Sequence, residues 1–470
     1  MMEKESLYFL PIGGTAMAPL AALLSEMGHR VEGVDAHLYP PMSTLLQEAG
    51  LQVRLGFDPM RIPAEIDRVI IGNAVPRSNP EVEAVISRGM PHLSQAEAVA
   101  HYVLARGREG LVVAGTHGKT TTSAMLAWIL EHTGADPSYL VGGLPRWNPR
   151  GFRLGHGPHL VIEGDEYNSA FFDRGAKFLH YRPHLFLIGP VEFDHADLYP
   201  NLDAVLTAFR AGASLVPGVG AVVVNAWSEG AVAASRDAMA PVIMVGPTAD
   251  CDLHLRSWRG LTDKSIAELQ WRDQILELEL ELPGLHNLQN AAMAITAAIL
   301  SGINPVVAAA AMQLFPGVAR RMDVVGERAG VIVVDDFAHH PTALKVTIDA
   351  ARQRWPDRRL IIAFEPRSLT AARKSSQTSY TEVLSHADVA LIAPAFHQAR
   401  LGEGEALDRK EIVTSLAAAG VQCLAPDAND AAAEMLYPLL EANDVVIGCS
   451  SGNFGEFHKK LLELLTGGES

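Results

Sequence analysis

The sequence contains few cysteines and no long hydrophobic run. Its three cysteines, Cys251, Cys423 and Cys449, are odd in number and far apart, which fits neither a disulfide framework nor a zinc site built from paired cysteines. No apolar stretch approaches the roughly 18 residues that cross a bilayer. The N-terminal segment also lacks the apolar core of a secretory signal. These absences predict a cytoplasmic protein without a membrane segment.

Aromatic residues and positive charge are also scarce. Aromatic side chains make up 6% of the chain, so the cores must be mainly aliphatic. Lysine and arginine number 38 against 54 aspartates and glutamates, which gives a formal net charge of −16. This negative charge argues against non-specific nucleic-acid binding, because that binding depends on neutralising phosphates. The chain is expected to be globular, and its 470 residues exceed what a single core accommodates.

Short apolar segments alternate with helical patterns along the whole chain, which predicts an α/β fold with mainly parallel sheets. We expect three domains: a Rossmann-like domain at 1–107, a central α/β domain at 108–318 and a second Rossmann-like domain at 319–470. The segment Leu276–Leu282 alternates leucine and glutamate, which predicts an antiparallel extension of the central sheet. The other predicted strands are Leu7–Leu10, Val31–Val34, Val69–Ile71, Leu111–Ala114, Leu160–Ile162, Leu185–Ile188, Ala221–Val224, Val331–Val334, Leu360–Phe364, Val389–Ala393 and Val445–Ile447.

A glycine-rich turn joins the predicted strand Leu111–Ala114 to a helical pattern. Such a turn presents backbone N–H groups and the positive end of the helix dipole to phosphate. Lys119 would reach the β- and γ-phosphates, and the Thr120 hydroxyl would bind Mg²⁺. Val113 stands where the general motif has glycine, so the loop is a shortened variant, and a structural turn with an incidental lysine is the alternative. The residues expected to bind ATP here are Gly115, Thr116, His117, Gly118, Lys119, Thr120 and Thr121.

Two later segments carry possible metal ligands. Glu163 follows the predicted strand Leu160–Ile162, where a carboxylate would be a second Mg²⁺ ligand, since Mg²⁺ prefers oxygen. Further on, His195 lies between Asp194 and Asp197. An imidazole flanked by carboxylates can hold a second metal ion. A structural or solvated histidine is the alternative.

The first predicted strand also ends in a glycine turn, at Gly13 and Gly14, and a helix is predicted at Ala18–Met27. In a Rossmann-like domain such a turn binds a diphosphate, and an acidic residue after the second strand, here Asp35, contacts ribose. A nicotinamide site is the alternative for this domain. That alternative is weakened because no hydride-transfer residues follow, whereas a separate phosphate loop does.

The motifs occur in an order that resembles the Mur ligases of peptidoglycan synthesis, and the resemblance covers essentially the whole chain. The motifs are GTHGKTTT at 115–122, Glu163, Asp194-His195, Gly284-x-His286-Asn287-x-x-Asn290 and Arg320-Arg321. Within the family, the sequence resembles the branch that uses UDP-N-acetylmuramate. The stretches that carry this closer resemblance are Tyr39–Ser43, Asp165–Asp173, Lys177–Tyr181, Glu192–Asp197 and Glu365–Ser368.

The resemblance implies an ATP-dependent ligase that forms a C–N bond and releases ADP and phosphate. It would join the lactoyl carboxylate of UDP-N-acetylmuramate to the amine of L-Ala-γ-D-Glu-meso-diaminopimelate through an acyl phosphate, for peptidoglycan recycling. The alternative within the branch is a ligase that adds L-alanine. From another class, a nucleotide-dependent switch that only hydrolyses ATP is also possible. Two Mg²⁺ ions and a monomer or homodimer are expected.

The resemblance also implies roles for individual residues. The expected metal ligands are Thr120, Glu163 and His195. The expected catalytic groups are Lys119, His195, Asp336 and His339, with Asp336 as a possible base. The residues expected to bind ATP outside the phosphate loop are His286, Asn287, Arg320 and Asp336. Those expected to bind UDP-muramate are Gly13, Gly14, Thr15, Met17, Asp35 and Asn73.

Two of these expectations have a structural alternative. Arg367 is expected to bind a peptide carboxylate, because a guanidinium suits bidentate pairing; a solvated surface arginine is the alternative. Asn287 precedes an alanine-rich helical run, so it could serve as a helix N-cap as well as an adenine contact.

Overall fold

Three large sheets and one two-stranded hairpin are found in the computed structural model, which describes residues 3–396, 401–402 and 404–467. Each sheet is packed between helices, and apolar residues of the strands form the cores. The α/β fold with mainly parallel sheets and three domains is therefore confirmed. Among the described residues, no helix has the length and apolar character needed to cross a bilayer.

The N-terminal sheet is parallel throughout and has the order β3-β2-β1-β4-β5. Its strands are β1 (Ser6–Leu10), β2 (Arg30–Asp35), β3 (Gln52–Leu55), β4 (Arg68–Ile71) and β5 (His92–Ser94). The helices are α1 (Met17–Glu26), α2 (Met42–Glu48), α3 (Pro80–Ser87) and α4 (Gln95–Ala98). Helix α4 begins in a capping box, in which Ser94 and Glu97 bond each other's backbone N–H groups. This box fixes the direction in which α4 leaves the sheet.

The central sheet has ten strands in the order β17-β16-β15-β14-β13-β12-β6-β9-β7-β8. The strands are β6 (Glu109–Ala114), β7 (Ser138–Leu140), β8 (Phe152–Arg153), β9 (His159–Gly164), β12 (Pro183–Ile188), β13 (Ala221–Asn225), β14 (Val242–Gly246), β15 (Leu253–Gly260), β16 (Ser265–Trp271) and β17 (Gln274–Leu280). A separate hairpin is formed by β10 (Asn168–Ala170) and β11 (Asp173–Ala176). The helices are α5 (Lys119–His132), α6 (Leu202–Ser214), α7 (Glu229–Ala234), α8 (Leu285–Leu300) and α9 (Pro305–Met312).

The predicted antiparallel extension is confirmed, since β15, β16 and β17 pair antiparallel at one edge of the central sheet. Strand β17 buries Leu276, Leu278 and Leu280, while the glutamates between them lie on the more exposed face. It ends at Leu280, two residues earlier than the alternation of leucine and glutamate predicts.

The C-terminal sheet has the order β18-β19-β23-β20-β21-β22, and only β18 runs antiparallel to its neighbour. The strands are β18 (Asp323–Arg328), β19 (Val331–Asp336), β20 (Arg359–Phe364), β21 (Val389–Ile392), β22 (Gln422–Leu424) and β23 (Asp444–Cys449). The helices are α10 (Pro341–Arg354), α11 (Gln377–Leu384), α12 (Arg409–Ala418), α13 (Ala432–Leu436) and α14 (Phe457–Gly467). Short 3₁₀ or π turns lie at Pro59–Arg61, Val99–Val103, Leu104–Arg106, Lys177–His180, Lys374–Ser376, Asn429–Ala431, Tyr437–Leu439 and Phe454–Glu456.

The central domain contacts both of its neighbours. The tip of the β10–β11 hairpin reaches the N-terminal domain, where Phe171 packs against the apolar side of that sheet and the Phe172 ring lies 5.2 Å from the His92 ring. On the other side, the Thr342 hydroxyl of α10 donates a hydrogen bond of 2.7 Å to Glu192 of the central domain. The ends of the central strands therefore face a cleft on each side.

Candidate active site

The phosphate loop runs from the end of β6 to the start of α5, and its backbone requires glycine at two positions. Gly115 and Gly118 have φ angles of 134° and 78°, which other residues rarely adopt. A Cβ atom on Gly115 would lie 2.9 Å from the backbone of Gly189, and one on Gly118 would lie 2.6 Å from Asn290 Oδ1. The loop is therefore packed tightly against α8 and the end of β12, with the N-terminus of α5 at its mouth.

Lys119 extends from the first turn of α5 toward the end of β9. Its ammonium donates hydrogen bonds to the Gly115 carbonyl at 2.8 Å and to Glu166 Oε2 at 2.9 Å. Burial opposes the charge on Lys119, but Glu166 and then Asp165 outweigh that effect and raise its pKa. Burial likewise opposes the charge on Glu166, yet Lys119 and His195 hold the pKa of Glu166 at about 2. Both groups are thus charged near neutral pH.

Thr120 and Glu163 meet beside this ion pair, as expected for ligands of one cation. The Thr120 hydroxyl donates to Glu163 Oε2 at 3.1 Å, and the Gly142 N–H donates to Glu163 Oε1 at 2.5 Å. Burial and the neighbouring Asp165 raise the pKa of Glu163 to about 7. The carboxylates of Glu163 and Asp165 and the Thr120 hydroxyl form a donor set that suits Mg²⁺. A bound cation would relieve the repulsion between the two carboxylates.

His195 lies on the far side of Glu166. Its Nε2 is 2.8 Å from Glu166 Oε1 and 3.8 Å from Asp194 Oδ2, and its ring packs against Tyr167. Burial opposes protonation, but the hydrogen bond and charge of Glu166 raise the pKa of His195. The imidazole expected to bind a second metal ion therefore has its Nε2 next to a carboxylate, and the pair suits a shared cation. We call Lys119, Glu166 and His195 the Lys119 cluster.

A cavity between the central and C-terminal domains adjoins the phosphate loop. It brings together the loop, the start of α8 and the segment that follows β19, as the resemblance implied. Its lining includes His117, Gly118, Thr121, His286, Asn287, Arg321, Asp336 and Ala338. Burial lowers the pKa of His286 to about 4, so its ring is neutral. A neutral imidazole in a mainly apolar cavity suits an uncharged base such as adenine.

The alternative in which Asn287 caps α8 is wrong. The helix begins at Leu285 with Gly284 as its N-cap, and no side chain caps it. Gly284 has a φ angle of 96°, and a Cβ atom there would lie 2.7 Å from the His286 ring. Asn287 instead lies inside the first turn and donates to the Pro283 carbonyl at 2.7 Å. Glycine therefore makes room for the His286 ring at the cavity.

Arg320 and Arg321 point in different directions, and Arg321 is the one that lines the cavity. Arg320 has a φ angle of 60°. Its guanidinium donates to Asp335 Oδ2 at 3.0 Å and to the carbonyls of Ser450 and Gly452. This arrangement differs from the expected ATP contact of Arg320 and favours Arg321 for that position.

Asp336 and His339 lie where β19 leads into α10. Asp336 accepts hydrogen bonds from the backbone N–H groups of Met322 and Ala338, at 2.7 Å and 2.8 Å. Each of its two carboxylate oxygens therefore fixes one backbone N–H group of the cavity wall. Burial raises the pKa of Asp336. Burial lowers the pKa of His339, although Asp194 of the central domain opposes that change. Asp336 is thus placed to shape the cavity, and its predicted role as a base stays a prediction.

A second carboxylate–imidazole cluster, which the sequence did not single out, joins the phosphate loop to the C-terminal domain. Glu192 Oε2 lies 3.1 Å from His117 Nε2, 3.6 Å from His340 Nδ1 and 2.7 Å from the Thr342 hydroxyl. Burial, followed by the charge of His117, lowers the pKa of His340 to about 4. Burial opposes the charge on Glu192, but His117 and Thr342 hold its pKa at about 2. We call these four residues the Glu192 cluster.

The residues expected to bind UDP-muramate lie at the carboxyl ends of the N-terminal strands. Asp35 Oδ2 accepts a hydrogen bond of 2.8 Å from the Gly13 N–H, so this carboxylate organises the glycine turn. Gly14 and Thr15 lead into α1, whose first residue is Met17, and Asn73 is exposed after β4. The turn faces the central domain across a cavity that reaches Glu163.

Arg367 lies in a different cavity, at the carboxyl ends of β20 and β21. Its guanidinium stacks 4.1 Å above the Phe396 ring, and Nη1 is 3.5 Å from the buried Glu365 carboxylate. Asn429 also lines this cavity and donates to Glu365 at 2.6 Å. Arg367 is thus anchored rather than freely solvated.

Three domain families match the chain: the Mur ligase family catalytic domain at 6–106, the Mur ligase middle domain at 113–298 and the Mur ligase glutamate ligase domain at 320–452. The chain is 37% identical over 469 residues to the UDP-N-acetylmuramate–L-alanyl-γ-D-glutamyl-meso-2,6-diaminoheptandioate ligase of Escherichia coli, with 97% of each chain covered. It is 30% identical to the UDP-N-acetylmuramate–L-alanine ligase of a Psychrobacter strain, over 98% of this chain and 95% of that one. The crystal structure of a murein peptide ligase from Psychrobacter arcticus superposes with a TM-score of 0.74 at 31% identity, with 98% of each chain covered.

Proposed function

This chain belongs to the Mur ligase family, and we propose that it joins UDP-N-acetylmuramate to L-Ala-γ-D-Glu-meso-diaminopimelate at the expense of ATP. The observation that carries the proposal is the 37% identity, over 97% of both chains, to a ligase named for these two substrates. The identity to four ligases named for L-alanine is lower, at 30% to 34% over 82% to 98% of this chain. The site supports a ligase, because a phosphate loop and a group of carboxylates suited to a cation lie together on the central domain, while a separate anchored arginine lies on the C-terminal domain.

The reaction needs activation because a carboxylate does not form an amide spontaneously in water. We propose that the lactoyl carboxylate attacks the γ-phosphorus of ATP, which gives an acyl phosphate and ADP. The peptide amine then attacks the acyl carbon, and phosphate leaves as the C–N bond forms. One proton is lost from the incoming ammonium. The enzyme acts mainly by positioning the partners and neutralising charge.

The Lys119 cluster supports the phosphoryl-transfer step. Lys119 is held at the loop by Gly115 and Glu166, so its charge faces the position expected for the β- and γ-phosphates. Thr120 and Glu163 would hold one Mg²⁺, and His195 with Glu166 a second. When bound, these ions would neutralise charge between the carboxylate and the triphosphate.

The C-terminal domain supports the amide-forming step. Arg367, fixed by Glu365 and Phe396, is proposed to bind a carboxylate of the tripeptide. Arg321 is proposed to contact ATP from the cavity wall, in the place first expected for Arg320. His339 and Asp336 remain the proposed catalytic groups on this side, with Asp336 as a possible acceptor of the amine proton.

The three sheets give each substrate its own domain in this proposal. UDP-N-acetylmuramate binds the N-terminal domain at 1–107, ATP the central domain at 108–318 and the amine the C-terminal domain at 319–470. The substrates are soluble metabolites, so we place the reaction in the cytoplasm and in peptidoglycan recycling. A monomer or homodimer is proposed, and sedimentation at two protein concentrations distinguishes them.

The test offers two amines separately. Purified protein is mixed with Mg-ATP and UDP-N-acetylmuramate, and then with either the tripeptide or L-alanine, while phosphate release and product mass are measured together. We expect the mass of the tripeptide adduct and phosphate release that requires all three substrates. Product with L-alanine alone would move the chain to the alanine-adding activity. Phosphate release without either acid or amine would instead indicate a hydrolase.

A further inference from the structure

A small cavity separates the N-terminal and central domains. The wall on the N-terminal domain contains Thr15, just before α1, and Gln95, at the start of α4. The wall on the central domain contains Glu163 and Asp165, at the end of β9. Lys177 also lines the cavity. The cavity lies between the glycine turn proposed for the diphosphate and the carboxylates proposed for Mg²⁺. A nucleotide sugar that spans these two sites must place its sugar here. The inference below therefore rests on the proposed function.

Most polar groups around this cavity already have partners. Lys177 is buried, with 6% of its surface exposed, and its ammonium pairs with Asp165 Oδ2 at 3.2 Å. Glu163 accepts hydrogen bonds from Gly142 and Thr120. These groups satisfy one another within the central domain.

Gln95 is the exception. It is the first residue of α4, held in place by the capping box, and only 6% of its surface is exposed. Its Oε1 is buried and has no hydrogen-bond partner among the described residues. Tyr181 is also buried and lines the same cavity; burial raises the pKa of Tyr181, and a hydrogen bond with Gln95 opposes that rise. The amide oxygen is the atom of Gln95 that lacks a partner among the described residues.

A buried acceptor without a partner destabilises a protein, typically by about 1–3 kcal/mol. Such a group persists in a folded protein when a ligand or an ordered water supplies the missing donor. On the opposite wall the carboxylates carry no N–H, and the Lys177 ammonium is paired with Asp165. A ligand that enters the cavity can supply the missing donor.

We propose that Gln95 Oε1 is a specificity-determining acceptor for the amino sugar of the acid substrate, where it receives a hydrogen bond from the acetamido N–H or a ring hydroxyl. The domain boundary runs through the cavity, so entry of the sugar separates α4 from β9 and brings the donor to this oxygen. A sugar without its donors leaves the acceptor unpaired, and this is how the site selects the N-acetylated sugar over the bare nucleotide.

The experiment compares wild type with Gln95→Met, which keeps the size of the side chain and removes the acceptor. Calorimetry without ATP measures the Kd of three probes: UDP-N-acetylmuramate, UDP-N-acetylglucosamine and UDP. We expect the Kd of both sugar nucleotides to rise about five- to tenfold in the variant, as for one lost hydrogen bond. The Kd of UDP should be unchanged. The thermal midpoint of the ligand-free variant should stay close to that of wild type, because the unsatisfied oxygen is removed together with the hydrogen bond to Tyr181.

Gln52→Met is the matched control. Gln52 is exposed at the start of β3, and so lies at the edge of the sheet opposite the carboxyl ends of the strands. This variant should leave all three Kd values unchanged. Gln95→Leu repeats the test if the methionine variant does not fold. Sugar-nucleotide affinities within twofold of wild type, or equal losses for UDP and the sugar nucleotides, would overturn the inference and leave a buried water as the partner of Gln95. Failure of the wild type to bind UDP-N-acetylmuramate would instead overturn the proposed function.

Discussion

The Lys119 cluster and the Glu192 cluster both place an imidazole against a carboxylate beside the phosphate loop, yet they hold different charges. His195 lies 2.8 Å from Glu166 and its pKa is raised, because the buried carboxylate outweighs the loss of solvent. His340 lies 3.6 Å from Glu192 and its pKa falls to about 4, because burial and His117 together disfavour a proton.

The difference follows from how each carboxylate is shared. In the Lys119 cluster all partners belong to the central domain, and the carboxylate is enclosed between two cationic groups. In the Glu192 cluster the carboxylate divides its hydrogen bonds between the phosphate loop and a neutral hydroxyl of the next domain. The first arrangement concentrates charge for phosphate chemistry. The second joins two domains, and its His340 ring adds no positive charge near ATP.

Removal of the lysine should produce the largest effect. Lys119→Ala should lower kcat by about a thousandfold or more, since the loop loses the cation that stabilises the transferring phosphate. Phosphate release measures the loss, and circular dichroism checks the fold. Lys345→Ala is the matched control, because Lys345 is exposed on α10 and pairs only with Asp349 among the described residues. Normal turnover in a folded Lys119→Ala protein would remove the phosphate-loop assignment.

Neutralising the shared carboxylate should have the next largest effect. Glu166→Gln keeps the shape of the side chain but no longer holds Lys119 and His195 by charge. We expect a 10- to 100-fold loss of activity, as for groups that orient metal ligands. The pKa of His195 should fall, because the group that raises it has been removed. An NMR titration of the imidazole measures this change, and an unchanged His195 pKa would contradict the charge state assigned to the cluster.

Breaking the link between the domains should have a smaller effect. Thr342→Val removes one hydrogen bond to Glu192, which is worth about 1 kcal/mol, or about fivefold in kcat/KM for ATP. The charges of the Lys119 cluster are untouched by this change. Thr414→Val on the exposed α12 is the control, since its hydroxyl bonds only within its own helix among the described residues. If both variants matched wild type, the link between Glu192 and the C-terminal domain would have no role in the use of ATP.

The smallest effect should be on the pH dependence of stability. His340 has a folded pKa of about 4, below its usual 6.5, so the unfolded chain binds a proton that the folded chain does not. The free energy of unfolding should therefore fall as the pH drops from about 6.5 to about 4. The charged and titratable groups facing His340 are Glu192, His117, Asp194 and His339.

The check on this pH effect compares thermal midpoints at pH 7 and pH 5 in wild type and His340→Asn. Asparagine is a good helix N-cap, so it should preserve the hydrogen bond that His340 accepts from the Thr342 N–H. The midpoint should drop less in the variant than in wild type. An equal drop in both proteins would show that His340 already carries a proton at pH 5.

The sequence predicted the buried strands well, because continuous apolar runs and the alternation in β17 are strong local signals. The strands β3, β5, β7, β8, β10, β11, β14, β15, β16, β18 and β22 were not predicted. Most of them consist of two to six residues and lack a continuous apolar run. The longer strands β15 and β16 lie at the antiparallel edge of the central sheet, where one face of a strand can stay polar.

The site was predicted at the level of motifs but not of side-chain direction. Adjacent arginines look equivalent in a sequence, whereas the φ angle of 60° at Arg320 accompanies a guanidinium that bonds Asp335, and Arg321 lines the cavity. Glu166 was passed over because nothing local distinguishes it from Asp165. Its importance arises from Lys119 and His195, which are 47 and 29 residues away.

The close packing of Gly118 against Asn290 has a consequence for how this enzyme can change over evolutionary time. Any larger residue at 118 would collide with an amide that belongs to a helix more than a hundred positions later. Shortening residue 290 would remove this collision but not the strain that the φ angle of 78° imposes on any other residue at 118. Position 118 is therefore restricted to glycine by two independent constraints, one in its own backbone and one from a distant helix, so a single compensating substitution cannot release it.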